Sequence, residues 1–118
     1  MTKDNPYYEC GEGWHPIIDK AVAKIRKYHP DVEFLQIKEK FGGLRIYTSY
    51  TSPAIEAIIE LADEFCEETC EQCGKPGNLR MNGKRSWVKT MCAECAGDEW
   101  VDYSFPEPGG QKGESGGS

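Results

Sequence analysis

Apolar residues recur at helical spacing from Trp14 onward. Trp14, Ile17, Ile18, Ala21, Ile25 and Tyr28 fall on one stripe, and His29-Pro30 ends the run. Pro16 is compatible with such a helix, because a first-turn residue has no intrahelical N–H bond to lose. The period then changes. Val32 to Lys38 is rich in strand formers and Leu44 to Tyr50 alternates, which predicts an antiparallel hairpin turned by Lys40-Phe41-Gly42-Gly43. Ser52-Pro53 predicts the start of a second helix, with serine as N-cap, and Ile55, Ile58, Ile59, Ala62, Phe65, Cys66 and Thr69 trace its buried face. The expected core collects Trp14, Ile17, Ile18, Ala21, Ile25, Leu35, Ile37, Leu44, Ile46, Ile58, Ile59, Ala62 and Phe65.

The second helix runs into Cys70-Glu71-Gln72-Cys73, and a matching pair, Cys92-Ala93-Glu94-Cys95, follows eighteen residues later. Each C-x-x-C can form a tight knuckle whose sulfurs take one edge of a tetrahedron, so Cys70, Cys73, Cys92 and Cys95 are the expected ligands of one Zn2+. Gly74 follows the first knuckle, where a residue without Cβ can take positive φ. Asn82-Gly83 predicts a type I′ turn between Leu79-Arg80-Met81 and Ser86 to Thr90, completing a zinc ribbon. A disulfide framework or a thioredoxin-type dithiol fits this paired spacing poorly. Four thiolates also fill the coordination sphere, so the metal is expected to be structural. Ala96 to Tyr103 reads as a short helix carrying Trp100. The Pro-, Gly- and Ser-rich stretch 104–118 has no means of burying apolar surface and reads as a disordered tail.

The expected fold is therefore α+β: helix, β-hairpin, helix, followed by a four-cysteine zinc ribbon. Residues 1–69 form the helix-hairpin-helix part and 70–103 the ribbon with its short helix. With 118 residues and 38% apolar content, one modest core with a metal-stapled lobe is what the chain can build. Its start lacks the layout of a signal peptide and no apolar run reaches membrane-spanning length, so a cytoplasmic, reducing compartment is expected. There, six cysteines are more naturally ligands and free thiols than bridges. Cys66, on the apolar helix face, reads as a small buried hydrophobe, Cys10 as a loop thiol, and His15 and His29 as structural.

Charge is segregated within the net −6. Residues 53–72 carry seven acids and no base, and residues 73–93 carry five bases and no acid. Glu56, Glu60, Asp63, Glu64, Glu67, Glu68 and Glu71 form an acidic face without an i,i+4 base, opposed to the helix dipole in the last turn. A face that stabilises so little suggests a binding role, and Glu60, Glu64 and Glu67, with Phe41 at the hairpin tip, are the candidate contacts for a protein partner. The alternative is a nucleic-acid surface made by Arg80, Lys84, Arg85, Trp87 and Lys89. It is disfavoured, because the acidic helix beside it repels polyanions and a four-thiolate zinc site, itself formally −2, accounts for part of the basic excess. No nucleophile with a base and no open metal position is visible, so an enzyme is not expected.

At Ile37-Lys38-Glu39-Lys40-Phe41-Gly42-Gly43-Leu44-Arg45-Ile46-Tyr47, joined to Cys70-x-x-Cys73-Gly74-x-Pro76-Gly77-x-Leu79-Arg80 and Trp87-x-Lys89-Thr90-x-Cys92-x-x-Cys95, the chain resembles a family of small, functionally uncharacterised proteins encoded by bacteria and their phages. The resemblance spans about residues 10–97, and departs where Ser86 stands in place of an expected glycine before the ribbon tryptophan. It implies a zinc-bearing, phage-associated protein that acts by binding or inhibiting a host factor.

Overall fold

A computed structural model describes residues 7–82 and 87–102, a mixed α+β molecule with two small sheets. The elements are β1 (Tyr8–Glu9), α1 (His15–Tyr28), β2 (Phe34–Lys40), β3 (Gly43–Thr48), α2 (Pro53–Cys66), β4 (Asn78–Asn82), β5 (Trp87–Met91), α3 (Ala93–Ala96) and β6 (Val101–Asp102), with a 3-10 turn at Glu12–Trp14 leading into α1. The first sheet has the order β1-β2-β3. Its hairpin is antiparallel, and β1 adds a short parallel edge, pairing Tyr8 with Ile37, that the apolar pattern did not reveal.

The β2–β3 connection is a two-residue turn, since Lys40 pairs with Gly43 and both residues between have positive φ: Phe41 at 54° and Gly42 at 82°. This matches the mirror-image turn geometry that suits a twisted hairpin, with a bulky Phe in the first left-handed position. A bulge between Phe34 and Gln36 interrupts the alternation of β2. It turns Leu35 outward, 62% exposed, while Phe34 and Ile37 both face inward. Leu35 is thus a correction to the expected core, as is Phe65 on α2, 56% exposed. Val22, Val32, Phe34, Ile55 and Cys66 fill the interior beside Trp14, Ile18, Ile25, Ile37 and Leu44.

Both ends of the helix pair are pinned. Ser52 Oγ accepts from Ile55 N at 3.1 Å, capping α2, and lies 3.0 Å from Nε2 of His29, the residue that ends α1. At the other end Trp14 Nε1 donates to Thr69 O at 2.8 Å. The helices therefore run antiparallel and in step, with their buried stripes on the sheet.

The second sheet has the order β5-β4-β6. Asn82 lies within β4 opposite Trp87, and Met81 opposite Val88. Gly83 to Ser86, and with them the rest of the expected Asn82-Gly83 turn, lie outside the described residues, as does the stretch from 103 onward. The expected helix from Ala96 to Tyr103 is corrected. Helix α3 occupies Ala93–Ala96 and ends at Gly97 with φ 61°, and the chain then returns as β6, pairing Val101 with Met81.

Candidate metal centre

Cys70 and Cys73 are held by a turn just beyond α2. Cys70 N donates to Lys75 O at 2.7 Å and Gly74 N donates to Cys70 O at 3.0 Å, with Gly74 at φ 86°. Cys92 follows β5 directly as the N-cap of α3, whose single turn carries Cys95. Ala96 N donates to Cys92 O at 3.0 Å, so the second pair is folded much as the first.

The four sulfurs lie within 4.8 Å of one another, and Cys73 Sγ is 3.6 Å from Cys92 Sγ. A tetrahedral ion with sulfur at about 2.3 Å requires edges of about 3.8 Å, so the arrangement fits a four-thiolate metal. The chemistry of the donors agrees. Burial opposes ionisation of Cys70, but the N–H groups of Cys92, Cys73 and Gln72 and the Cys73 thiol overcome it and bring the group down to about 7. Hydrogen bonds to Cys92, Cys70 and Cys73 hold the Cys95 proton, pushing that thiol up to about 12. The sulfurs therefore share protons that a bound metal must displace, and metal affinity rises with pH. Cys70 and Cys92 are buried, with Met91 and Ala96 beside them and Trp100 packed over the cluster.

The knuckle is fastened to the rest of the molecule by a segment whose role the sequence did not show. Gly13 N donates to Glu71 O at 2.7 Å, and Gly11 N donates to Glu71 Oε2 at 2.9 Å. A Cβ on Gly13 would overlap Cys70 O and Glu71 O, so only glycine permits the approach. Glu71, expected on the exposed acidic face, is instead buried at 5% exposure. Its Oε1 pairs with Lys89 Nζ at 3.4 Å, and Lys89 also pairs with Glu39 at 3.1 Å. Glu39 in turn accepts from Gly42 N at 2.8 Å, and the buried Thr90 hydroxyl donates to Gly42 O at 2.8 Å. Thus the hairpin tip, the knuckle and β5 meet around one ammonium group.

This rearranges the candidate binding residues. Lys89 pairs with the carboxylates of Glu39 and Glu71, and Arg80 Nε donates to Met91 O at 2.9 Å, so both also make contacts within the chain. Lys84 and Arg85 lie outside the described residues. Lys75 pairs with Glu94 at 3.1 Å. On α2, Glu60 and Glu64 are exposed, as is Glu67 just past its end, whereas Asp63 turns inward and accepts from Leu44 N at 2.8 Å. Burial, with Asp63 and Glu64 nearby, raises the Glu67 pKa above its usual value. Phe41 is 72% exposed, with Lys40 Nζ 5.6 Å from its ring centroid. Phe41 and Trp87, 51% exposed, line a shared cleft of about 280 Å3 with Glu39, Lys40, Val88 and Lys89. The pairing of these two aromatics across 46 positions of sequence had no local signal.

Cys66 is fully buried, and burial, with Cys10 next, holds its thiol well above the usual range. Cys10 is half-buried, and burial together with Glu71 and Glu39 pushes its thiol up to about 12. Neither behaves as an ionised ligand. No helix among the described residues is long and apolar enough to cross a membrane. No protein-family model, curated protein or solved structure significantly matches this chain.

Proposed function

We propose that this chain is a zinc-stabilised interaction protein, in which one structural Zn2+ on Cys70, Cys73, Cys92 and Cys95 holds the Phe41–Trp87 cleft in shape for a protein partner. The observation that carries the reading is the closed four-sulfur cluster, all within 4.8 Å, at the far end of β5, the strand whose first residue, Trp87, lines an exposed cleft with Phe41. Zinc suits four thiolates in a tetrahedron, and such a site leaves no coordination position for substrate, so the role is binding and not catalysis. Phe41 supports the partner reading. A bulky residue at positive φ is uncommon, and its ring stands in solvent where a smaller turn residue would cost less. The exposed acids Glu60, Glu64 and Glu67 supply a charged surface that steers a basic partner. Resemblance of the hairpin and ribbon motifs to phage-encoded proteins supports a host factor in the cytoplasm as that partner.

Metal analysis of reduced protein is expected to give one zinc per chain, and near-zero content would defeat the reading. Capture from host lysate is expected to lose its main partner with Phe41→Ala plus Trp87→Ala, or with Glu60→Lys, Glu64→Lys and Glu67→Lys together, at unchanged zinc content. The nucleic-acid alternative keeps Trp87 as a stacking ring, with Lys89 and Arg80 also engaged in contacts within the chain. Tight oligonucleotide binding that weakens steeply with salt would favour it instead.

A further inference from the structure

Strand β3 is an edge of the first sheet, and its outer side is only partly closed. In a two-residue hairpin the pair beside the turn, here Lys40 and Gly43, exchanges backbone bonds, and bonded pairs then alternate along the ladder. Arg45 therefore bonds back to Lys38, while the N–H and C=O of Leu44 and Ile46 point away from β2. Leu44 agrees with this, since its N–H donates to Asp63 Oδ1 on α2 at 2.8 Å and its C=O accepts from Arg45 Nη1 at 3.2 Å. One rung further along, the edge is open. Neither backbone group of Ile46 finds a partner on this side among the described residues.

A cleft of about 600 Å3 separates this edge from α2. The helix starts shortly after β3 ends and brings Asp63 back to Leu44, so it runs antiparallel to the strand. Glu56, Glu60 and Asp63 follow one another at i, i+4 and i+7, which places them on one stripe, and all three line the cleft together with Ile59. At about 1.5 Å per helical residue, Glu60 lies about 4.5 Å and Glu56 about 10.5 Å along α2 from Asp63. Ile46 lies about 6.7 Å along β3 from Leu44, near the level of Glu60. Arg45, the one base in the lining, is turned onto Leu44 O, at the Asp63 end.

We propose that this cleft takes up an extended segment of a partner protein, which adds to the first sheet as a strand beside β3 and carries Lys or Arg at alternate positions. Backbone bonds to Ile46 hold any extended chain, and the acids of α2 select a basic one. Alternate side chains of a strand are about 6.7 Å apart, close to the ~6 Å between Glu56 and Glu60 along the helix. A second copy of this chain would bring the same acids to the cleft, so the occupant is a different protein. The proposal deepens the partner reading above and rests on its assignment of a basic partner to Glu60, but it uses neither the metal ligands nor the Phe41–Trp87 cleft.

Titration of the zinc-loaded full chain with a capped peptide of alternating Lys and Thr, about eight residues long, tests it. Binding is expected with a dissociation constant below about 500 µM, and amide exchange at Ile46 is expected to slow more than about tenfold at saturation. Glu60→Lys is expected to weaken binding more than about tenfold, whereas Glu64→Lys, which alters an exposed acid outside the cleft, leaves it within about twofold. Methylating every backbone nitrogen of the peptide keeps its charge, removes its N–H donors and is expected to abolish binding. Phe41→Ala plus Trp87→Ala is expected to leave the titration unchanged. No binding up to about 500 µM, unchanged exchange at Ile46, equal binding of the methylated peptide, or equal losses from Glu60→Lys and Glu64→Lys would each overturn the proposal. A failed titration beside lysate capture that still depends on Phe41 and Trp87 defeats this proposal alone, and the converse defeats only the aromatic cleft.

Discussion

Lys89 holds together two carboxylates largely removed from water, Glu39 at 15% and Glu71 at 7% side-chain exposure. Burial alone would lower its pKa, yet Glu71 and Glu39 raise it above the ordinary lysine value. A cation with a raised folded pKa contributes stability fully below its unfolded pKa and loses it as pH rises through the folded value, so the contribution is intact at neutral pH. Lys89→Met is expected to cost about 2 kcal/mol in urea unfolding at pH 7, below the ~3–5 kcal/mol of a fully buried pair because Lys89 keeps 24% exposure. Lys75→Met, which removes a pair exposed on both sides, is expected to leave the midpoint nearly unchanged. At this scale the four clustered cysteines are legible from spacing alone, because drawing four sulfurs to one point constrains only the local chain. Glu71 is not. It lies between two of those cysteines and reads as one more surface acid until Gly11 and Lys89, distant in sequence, close over it.

Helix α2 combines a favourable start with an unfavourable end. Ser52 caps its N-terminus, but its last turn has no basic residue, and Glu67 follows with Asp63 and Glu64 close by. A carboxyl whose folded pKa is raised binds its proton more tightly in the native state, so its ionisation lowers stability as pH rises above the ordinary value of 4.5. Glu67→Gln is therefore expected to raise the melting temperature slightly at pH 7, with the gain vanishing when the scan is repeated below about pH 4. A gain that persists at low pH would mean that charge is not its cause. Caps, Pro53 and the apolar stripe made α2 legible, since they act within one or two turns. The β2 bulge was not, because Val32 to Lys38 alternates plausibly in either register. The choice belongs to pairing with β3, where Gln36 meets Tyr47 and Leu35 is left outside.

Across the whole molecule, the cysteine knuckle and the helix-hairpin-helix core are joined through Gly13, Trp14 and Glu71. Metal removal is therefore expected to loosen more than the ribbon. On titration with a strong chelator, tryptophan emission should shift to the red as Trp14, fully buried and bonded to Thr69 O, gains access to water. An unaltered spectrum and melting curve after complete metal loss would mean that the ribbon hangs independently. Gly13→Ala provides the converse measurement. Its methyl would press on Cys70 O without removing a sulfur, so zinc is expected to be lost to a competing chelator faster than from wild type.

What the sequence by itself determined is local and periodic: the two helices, the second with its Ser52 cap, the hairpin with its turn, and four cysteines at metal-closing spacing. These depend on backbone preference and on side chains within a few positions of each other. Tertiary structure alone decided which charges are interior and which apolar residues stay exposed. It drew Glu39, Glu71 and Lys89 together and left Leu35, Leu61 and Phe65 in water. It also placed Phe41 beside Trp87 and returned the chain as β6 where a helix was expected. The physical reason is that burial depends on what packs against a residue, and here those partners come from the first sheet, the N-terminal segment and the ribbon, each remote in the chain.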